Sequence, residues 1–302
     1  MSTTSALSTL SNDLASAVER IAPSVVYVDA DARRDASGLA LDEHTVVTVD
    51  HAIDRDDEIE IVLAGNLRYP AELIGRDPTT DLALLRTSAA LTPAPSGDAD
   101  SLRVGHVVLA LGRDEDGAIG ASFGVASVVG GPWQTWRGGR IDRFLRPDLT
   151  LYAGFSGGPL VDASGAVLGL NTWGLSRRTA LTIGFGTIER IAAQLREHGR
   201  IRRGYLGFAF QTVRLPEGLR ARHGLAGESA LMVVDVAPES PSDRAGLAIG
   251  DVILALGERT IEDARDLQHA LGNDGAGATR PLRILRAGQP HELVVTIGER
   301  AA

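Results

Sequence analysis

Short runs of β-branched and aliphatic residues, separated by turn-rich segments with no helical crossover between them, decide most of what this chain can fold into. The first set is 25–28, 39–41, 45–49, 59–63 and 82–85. A parallel sheet needs a crossover of a dozen or more residues between strands, so runs at this spacing predict an antiparallel sandwich or barrel. A second set follows Thr92-Pro93-Ala94-Pro95 and comprises 107–111, 121–129, 160–161, 167–171 and 181–183. Helical spacing appears at the borders, in Leu14, Val18 and Ile21 before Ala22-Pro23, and again over 187–197, closed by His198-Gly199. Residues 1–11 are small and polar and are expected to be disordered. After a linker at 200–203 comes a small domain of mixed strand and helix, with runs at 203–208, 231–234, 252–256, 281–285 and 292–297 and a helix near 261–271.

Composition narrows the chemistry. The chain of 302 residues is 44% hydrophobic, enough for ordinary cores in two domains. No run is long and apolar enough to span a bilayer, and residues 1–12 lack the basic start and apolar stretch of a signal peptide, so the sequence favours a cytoplasmic protein, or an exported one that begins after a removed leader. Cysteine is absent, which removes thiolate nucleophiles and cysteine metal sites. All 30 basic side chains are arginine. A Ser-Lys dyad and Schiff-base chemistry are therefore excluded, and a serine nucleophile has to use histidine. A net charge of −9 without a basic run argues against a nucleic-acid partner.

Gly154-Phe155-Ser156-Gly157-Gly158-Pro159-Leu160 places one serine among three glycines ahead of an apolar run. Glycines let successive N–H groups, those of Gly154 and Ser156, converge on one point, as an oxyanion requires. Alone, the string is equally a glycine-rich turn. A base and a group to orient it must come from elsewhere. Of seven histidines, His51 stands out because it follows the apolar run 45–49 at a turn. Asp81 has the matching property, preceding the run 82–85 at the edge of a core, where a carboxylate needs a partner.

With these residues in hand, the sequence resembles the HtrA family, trypsin-like serine proteases carrying a C-terminal PDZ domain. The resemblance spans about Leu14 to Arg300. It rests on Thr48-Val49-Asp50-His51-Ala52-Ile53, on Gly75-Arg76-Asp77-Pro78-Thr79-Thr80-Asp81-Leu82-Ala83-Leu84-Leu85, on the Ser156 stretch and on Gly204-Tyr205-Leu206-Gly207. It implies a mainly β chain: an N-terminal segment with a short helix (1–22), a protease domain of two six-stranded antiparallel β-barrels (23–199) and a small α+β PDZ domain (203–299). It also implies Ser156 as nucleophile, His51 as base and then acid, Asp81 as the group that holds the imidazole, and an oxyanion hole from the N–H groups of Gly154 and Ser156. No metal or cofactor enters.

The chain departs from the family pattern where Tyr152-Ala153-Gly154-Phe155 replaces the usual Asn-Pro-Gly-Asn. Phe155 lacks the polar contacts of asparagine and is expected to favour a collapsed, low-activity loop until substrate or a PDZ ligand binds. Asp50 stands where asparagine is common, and its charge beside His51 is expected to favour the imidazolium. The loop near 29–37 is short, which argues against large cage assemblies. In trypsin-like folds the specificity pocket has its base six residues before the nucleophile; this is Thr150, and its lack of charge implies cleavage after uncharged residues, with Leu151 and Ile183 as walls or plain core. All three tryptophans, Trp133, Trp136 and Trp173, are expected in loops. Tyr205-Leu206-Gly207-Phe208 resembles a PDZ carboxylate-binding loop, with Leu267 and Leu271 lining its side-chain pocket. The expectation is a serine endopeptidase of protein quality control that acts on unfolded or partly folded protein and peptides, captures peptide C-termini at its PDZ domain and assembles as a homotrimer. The alternative is a silent or weak protease fold that serves as a client-binding module or chaperone.

Overall fold

The computed structural model describes residues 6–30, 35–97, 99–176, 178–201, 204–274 and 276–299. The chain divides into two compact units, 1–201 and 202–302, each with its own apolar core. Helix α1 (Ala6–Ile21) leads in and buries Ala17 and Ile21. It begins inside the stretch expected to be disordered, while residues 1–5 lie outside the described residues.

Strands β1 (Val25–Asp29), β2 (Ala36–Ala40), β3 (Thr45–Thr48), β4 (Ile59–Leu63), β5 (Leu67–Asp77) and β6 (Leu82–Thr87) close the first barrel in the order β1-β2-β3-β6-β5-β4. Part of the short loop expected before β2, residues 31–34, lies outside the described residues. Next come β7 (Val107–Arg113) and β8 (Ile119–Gly130), then a hairpin of β9 (Trp133–Gln134) and β10 (Arg140–Ile141). With β11 (Phe144–Asp148), β12 (Pro159–Asp162), β13 (Val167–Thr172) and β14 (Leu181–Gly184), the second barrel closes as β11-β14-β13-β12-β7-β8. The fold class is the expected one, mainly β with two closed six-stranded barrels. The stretch around Trp133 and Trp136, tryptophans expected in loops, instead contains the hairpin, and Trp133 is on a strand.

The barrel strands read as continuous apolar runs because both of their faces are buried. In β3, Val46 joins a cluster with Val26, Ile61 and Leu85 of its own barrel. Its neighbour Val47 points the other way, into a cluster shared with Leu109, Leu111 and Val161 of the second barrel and with Ile188, Ile191 and Leu195 of helix α2 (Phe185–His198). One cluster thus cements both barrels and both helices of this unit. Helix α2 ends at Gly199, which takes a left-handed φ of 68° and donates its N–H to Leu195 O at 2.8 Å.

Arg113, at the end of β7, locks the entry of the chain to the second barrel. Its buried guanidinium donates to Val25 O (2.6 Å), Ala22 O (2.6 Å) and Gly117 O. Burial holds its pKa below the ordinary arginine range. Replacing it by methionine strips three carbonyls of their donor at once. We expect Arg113→Met to lower the unfolding free energy by about 3 kcal/mol, measured by urea denaturation, since each orphaned buried acceptor costs roughly 1–3 kcal/mol.

In the second unit, β15 (Gly204–Tyr205) pairs with β22 (Gly298–Glu299). The main sheet comprises β16 (Phe208–Arg214), β17 (Ser229–Val236), β18 (Val252–Leu256), β19 (Arg259–Thr260), β20 (Thr279–Arg286) and β21 (Gln289–Thr296). Its order β16-β17-β18-β20-β21 leaves β16 on an edge, while β19 pairs with β18. Helices α3 (Glu217–His223), α4 (Pro241–Arg244) and α5 (Ala264–Asp274) complete it.

Candidate active site

His51 sits on a single turn, Asp50–Ala52, at the end of β3, and Asp81 immediately precedes β6, so β3–β6 pairing brings them together. The Asp81 carboxylate accepts from His51 Nδ1 at 3.0 Å through Oδ1 and 2.9 Å through Oδ2, and from the His51 backbone N–H at 3.0 Å. Asp81 is only 2% exposed and has a φ of 61°. The turn before it is built for this. Asp77 accepts from Thr79 N–H (3.1 Å), Thr79 Oγ1 (2.7 Å) and Thr80 Oγ1 (2.8 Å). From the hairpin, Thr135 Oγ1 donates to Thr79 O at 2.7 Å and Arg137 to Pro78 O at 3.0 Å.

The second barrel completes the carboxylate's shell. Thr172, at the end of β13, donates its hydroxyl to Asp81 Oδ2 and accepts the Gly174 N–H at 2.8 Å. Gly174 has to be glycine here, because a Cβ would stand 2.3 Å from Asp81 Oδ2 and 2.8 Å from His51 Nδ1. Sequence reasoning missed both residues. The available signal was the Thr172-Trp173-Gly174 string at the end of an apolar strand, with its hydroxyl and backbone where a buried carboxylate needs donors.

Ser156 lies on the turn before β12 and is 7% exposed. Its loop docks on the first barrel: Ser37 N–H donates to Ser156 O at 2.8 Å and Ser37 Oγ to Gly154 O at 2.6 Å. Ser37 Oγ accepts the Arg113 N–H at 2.9 Å, while Ser37 O accepts from Thr48 Oγ1 at 2.7 Å. Ser37 is another residue the sequence did not single out. Within the loop, Phe155 N–H donates to Tyr152 O (3.1 Å), Gly157 N–H to Asn171 O (2.8 Å) and Gly158 N–H to Phe155 O (3.1 Å). Among the described residues, the N–H groups of Gly154 and Ser156 take no partner, and no hydrogen bond joins Ser156 Oγ to the His51 ring. Two unpaired donors thus sit on either side of Phe155.

The remaining site residues divide. Thr150 is exposed and Leu151 buried beside Phe155, whereas Ile183 is fully buried in the shared core with Leu170 and Leu181, where it contributes packing. Trp173 is 46% exposed next to Thr172, and Trp136 is exposed with Arg137 stacked on its ring at 4.6 Å. In the second unit, Leu206 O and Gly207 O accept from Ser242 N–H and Ala237 N–H, both at 2.9 Å. The N–H groups of Leu206 and Gly207 take no partner among the described residues. Leu206 and Leu267 are buried, with Phe208 and Leu271 partly so in the same cluster; Tyr205 is on β15.

Asp50 sets its charge against a guanidinium. It is buried and faces Arg76, with Nε 3.4 Å from Oδ1, too long and misaligned for a hydrogen bond. Burial raises its pKa; Arg76 and Arg137 oppose the rise, while Asp81 and Asp77 add to it. A native carboxyl that binds its proton more tightly than the unfolded chain gives stability that is complete below about pH 4 and is lost as pH climbs through the raised value. At neutral pH its buried charge is therefore a cost. Asp50→Asn is expected to raise the melting temperature by about 2–4 °C at pH 8 and by progressively less toward pH 4, measured by calorimetry across that range.

Comparison with known proteins places this geometry. A trypsin-like peptidase domain model matches residues 36–170 and a PDZ domain model matches 204–297. A probable periplasmic serine endoprotease DegP-like of Pseudomonas putida is 32% identical over 259 residues, 84% of this chain and 53% of the relative. The protein of the same description from Brucella suis is 33% identical over 275 residues, 86% of this chain and 52% of the relative. The chain spans about half the length of the curated relatives it matches. Among solved structures, the HtrA-type protease AlgW with decapeptide superposes with a TM-score of 0.77 at 27% identity, covering 96% of this chain and 99% of that one. The serine endoprotease from Yersinia pestis gives 0.74 at 28%, with 96% and 98% covered. The two curated relatives are named as periplasmic, which overturns the cytoplasmic placement expected from the sequence. The expectation rested on the lack of a signal-like stretch in residues 1–12, and an exported protein loses such a stretch on processing, so its lack reports no address.

Proposed function

We propose, because this chain belongs to the HtrA family of trypsin-like serine proteases carrying a PDZ domain, that it is a serine endopeptidase acting on unfolded or partly folded protein in the periplasm as part of quality control. The observation that carries this is the shielded Asp81–His51 pair beside a serine loop with two unpaired N–H donors. With Nδ1 donating to Asp81, Nε2 is left as the acceptor. Ser156 Oγ attacks the scissile carbonyl and passes its proton to His51 Nε2, and the oxyanion takes the N–H groups of Gly154 and Ser156. His51 then protonates the leaving amine. Water repeats the sequence on the acyl-enzyme and returns the proton to Ser156.

Thr150 and Leu151 support a preference for an uncharged residue before the cut. The exposed Leu7 and Leu10 on α1 favour assembly through apolar contacts, consistent with a homotrimer. A silent client-binding fold, or a chaperone with weak activity, is the competing reading. A latent form would differ at the Ala153–Gly154 peptide, whose C=O and N–H both lack partners among the described residues. Fluorophosphonate labelling and casein digestion test the proposal. Wild type should label and cleave, mainly after uncharged residues by mass spectrometry of the fragments, and Ser156→Ala should do neither. Labelling that appears only when unfolded protein is added indicates latency, and none under any condition favours the silent module.

In the PDZ unit, the free N–H groups of Leu206 and Gly207, the edge strand β16 and the neighbouring Leu267 and Leu271 support capture of a peptide C-terminus by strand addition. Fluorescence titration of the full chain should show a peptide with a free carboxylate binding at least tenfold tighter than its amidated twin, the value of about 1.4 kcal/mol in binding free energy.

A further inference from the structure

We propose that Phe155 is a positioning residue for the oxyanion loop, a ring seated in a notch formed by a glycine pair in the second barrel. The inference rests on the protease reading above and concerns the position where this chain replaces the asparagine of the family pattern. Gly112 on β7 and Gly120 on β8 are register partners across the antiparallel ladder. A Cβ on Gly112 would stand 2.5 Å from Phe155 Cδ1, and one on Gly120 would stand 3.2 Å from Cε1 and Cζ. The ring therefore occupies the space of two missing side chains. Glycine inside a strand weakens it and marks a close approach, and here the approaching group is this ring. It belongs to an apolar cluster with Ala110, Leu151 and Leu160, and Tyr152 meets it edge-on at 5.5 Å and 78°.

The seating matters because of what it does to the backbone. A trans peptide points its C=O and its N–H in opposite directions. Phe155 O is turned to Gly158 N–H, so the Ser156 N–H in the same peptide faces away. Phe155 N–H is turned to Tyr152 O, and Gly154 O in that peptide faces Ser37 Oγ. Filling the notch fixes where residue 155 can place its Cα and Cβ, and so limits how far the two peptides that meet there, and the Ser156 donor with them, can shift. Packing thus replaces a polar tether. On this reading the ring steadies the Ser156 donor, where the sequence alone suggested collapse.

The test uses the full chain with Phe155→Leu, Gly120→Val and the double variant, measuring kcat and KM on a peptide substrate, the fluorophosphonate labelling rate and thermal melting. Each single variant is expected to lower kcat and labelling at least tenfold, toward the hundred- to thousandfold that follows loss of an oxyanion donor, with KM within about threefold. The double variant, in which valine fills the notch that a shorter side chain vacates, recovers most of the loss. If a single variant fails to fold, Gly120→Ala, which displaces the ring by only tenths of an ångström, replaces it and is expected to show the same split. Folded single variants with wild-type kcat overturn this inference alone, as does a loss that the double variant does not recover, which assigns Phe155 to general packing. A wild-type chain that neither labels nor cleaves overturns the protease reading and this inference with it.

Discussion

One buried carboxylate sets the terms for the rest of the first unit. Asp81 is out of water, and a carboxylate there is tolerated only when its oxygens are fully engaged. Its donors come from two directions, the backbone and ring of His51 from the first barrel and the Thr172 hydroxyl from the second. Neither barrel alone could satisfy it. The carboxylate therefore couples the docking of the barrels to the geometry of the imidazole. The same requirement explains the strain accepted nearby, a positive φ at Asp81 and a turn whose Pro78 and Thr79 carbonyls and threonine hydroxyls are engaged by Arg137, Thr135 and Asp77.

Ser37 plays the corresponding part for the serine loop. Its N–H and hydroxyl hold Ser156 O and Gly154 O, and its carbonyl is held by Thr48, three residues before His51. Gly157 makes the approach possible, since a Cβ there would stand 1.9 Å from Ser37 O. The chain is thus pinned on carbonyls along one side of the loop, which leaves N–H groups on the other. That asymmetry gives the loop its chemical character. An anion is the complement of donors that the protein itself does not use.

The strands were legible where both faces are buried, because 25–28 and 82–85 are then unbroken apolar runs and 45–49 is interrupted only by threonine. Strand β5 escaped notice for the opposite reason: its outer positions Arg68, Pro70 and Glu72 are exposed, so no apolar run marks it. The hairpin at 133–141 was hidden by glycines and tryptophans that resemble a loop, and it is ordered by bonds to the Asp81 turn, a partner distant in sequence. His51, Asp81 and Ser156 were legible from their places at strand ends and from family resemblance. Thr172, Ser37 and the Gly112–Gly120 pair were not, since each acts through a contact that only the closed barrels create. Ile183 was ambiguous from the start, because an apolar side chain beside a pocket and one in a core look the same in sequence.

The contacts also locate where activity could be regulated. Three of the four peptides from Ala153 to Gly157 are tethered: 154–155 through Ser37 and Tyr152, 155–156 through Gly158, and 156–157 through Ser37 and Asn171. Only 153–154 has neither group engaged among the described residues, and its N–H is one of the two on the loop that no protein group uses. Turning that peptide breaks no hydrogen bond within the loop, so hydrogen bonding does not oppose a change in its orientation. A hydrogen bond to a developing oxyanion is worth about 1.5–3 kcal/mol, enough to shift a two-state balance by roughly ten- to a hundredfold. On the proposed protease reading, substrate itself draws the donor into place, provided the neighbouring peptide is already held. Hydrogen bonds to Ser37, Tyr152 and Gly158 hold it, and the Phe155 ring in its notch backs them.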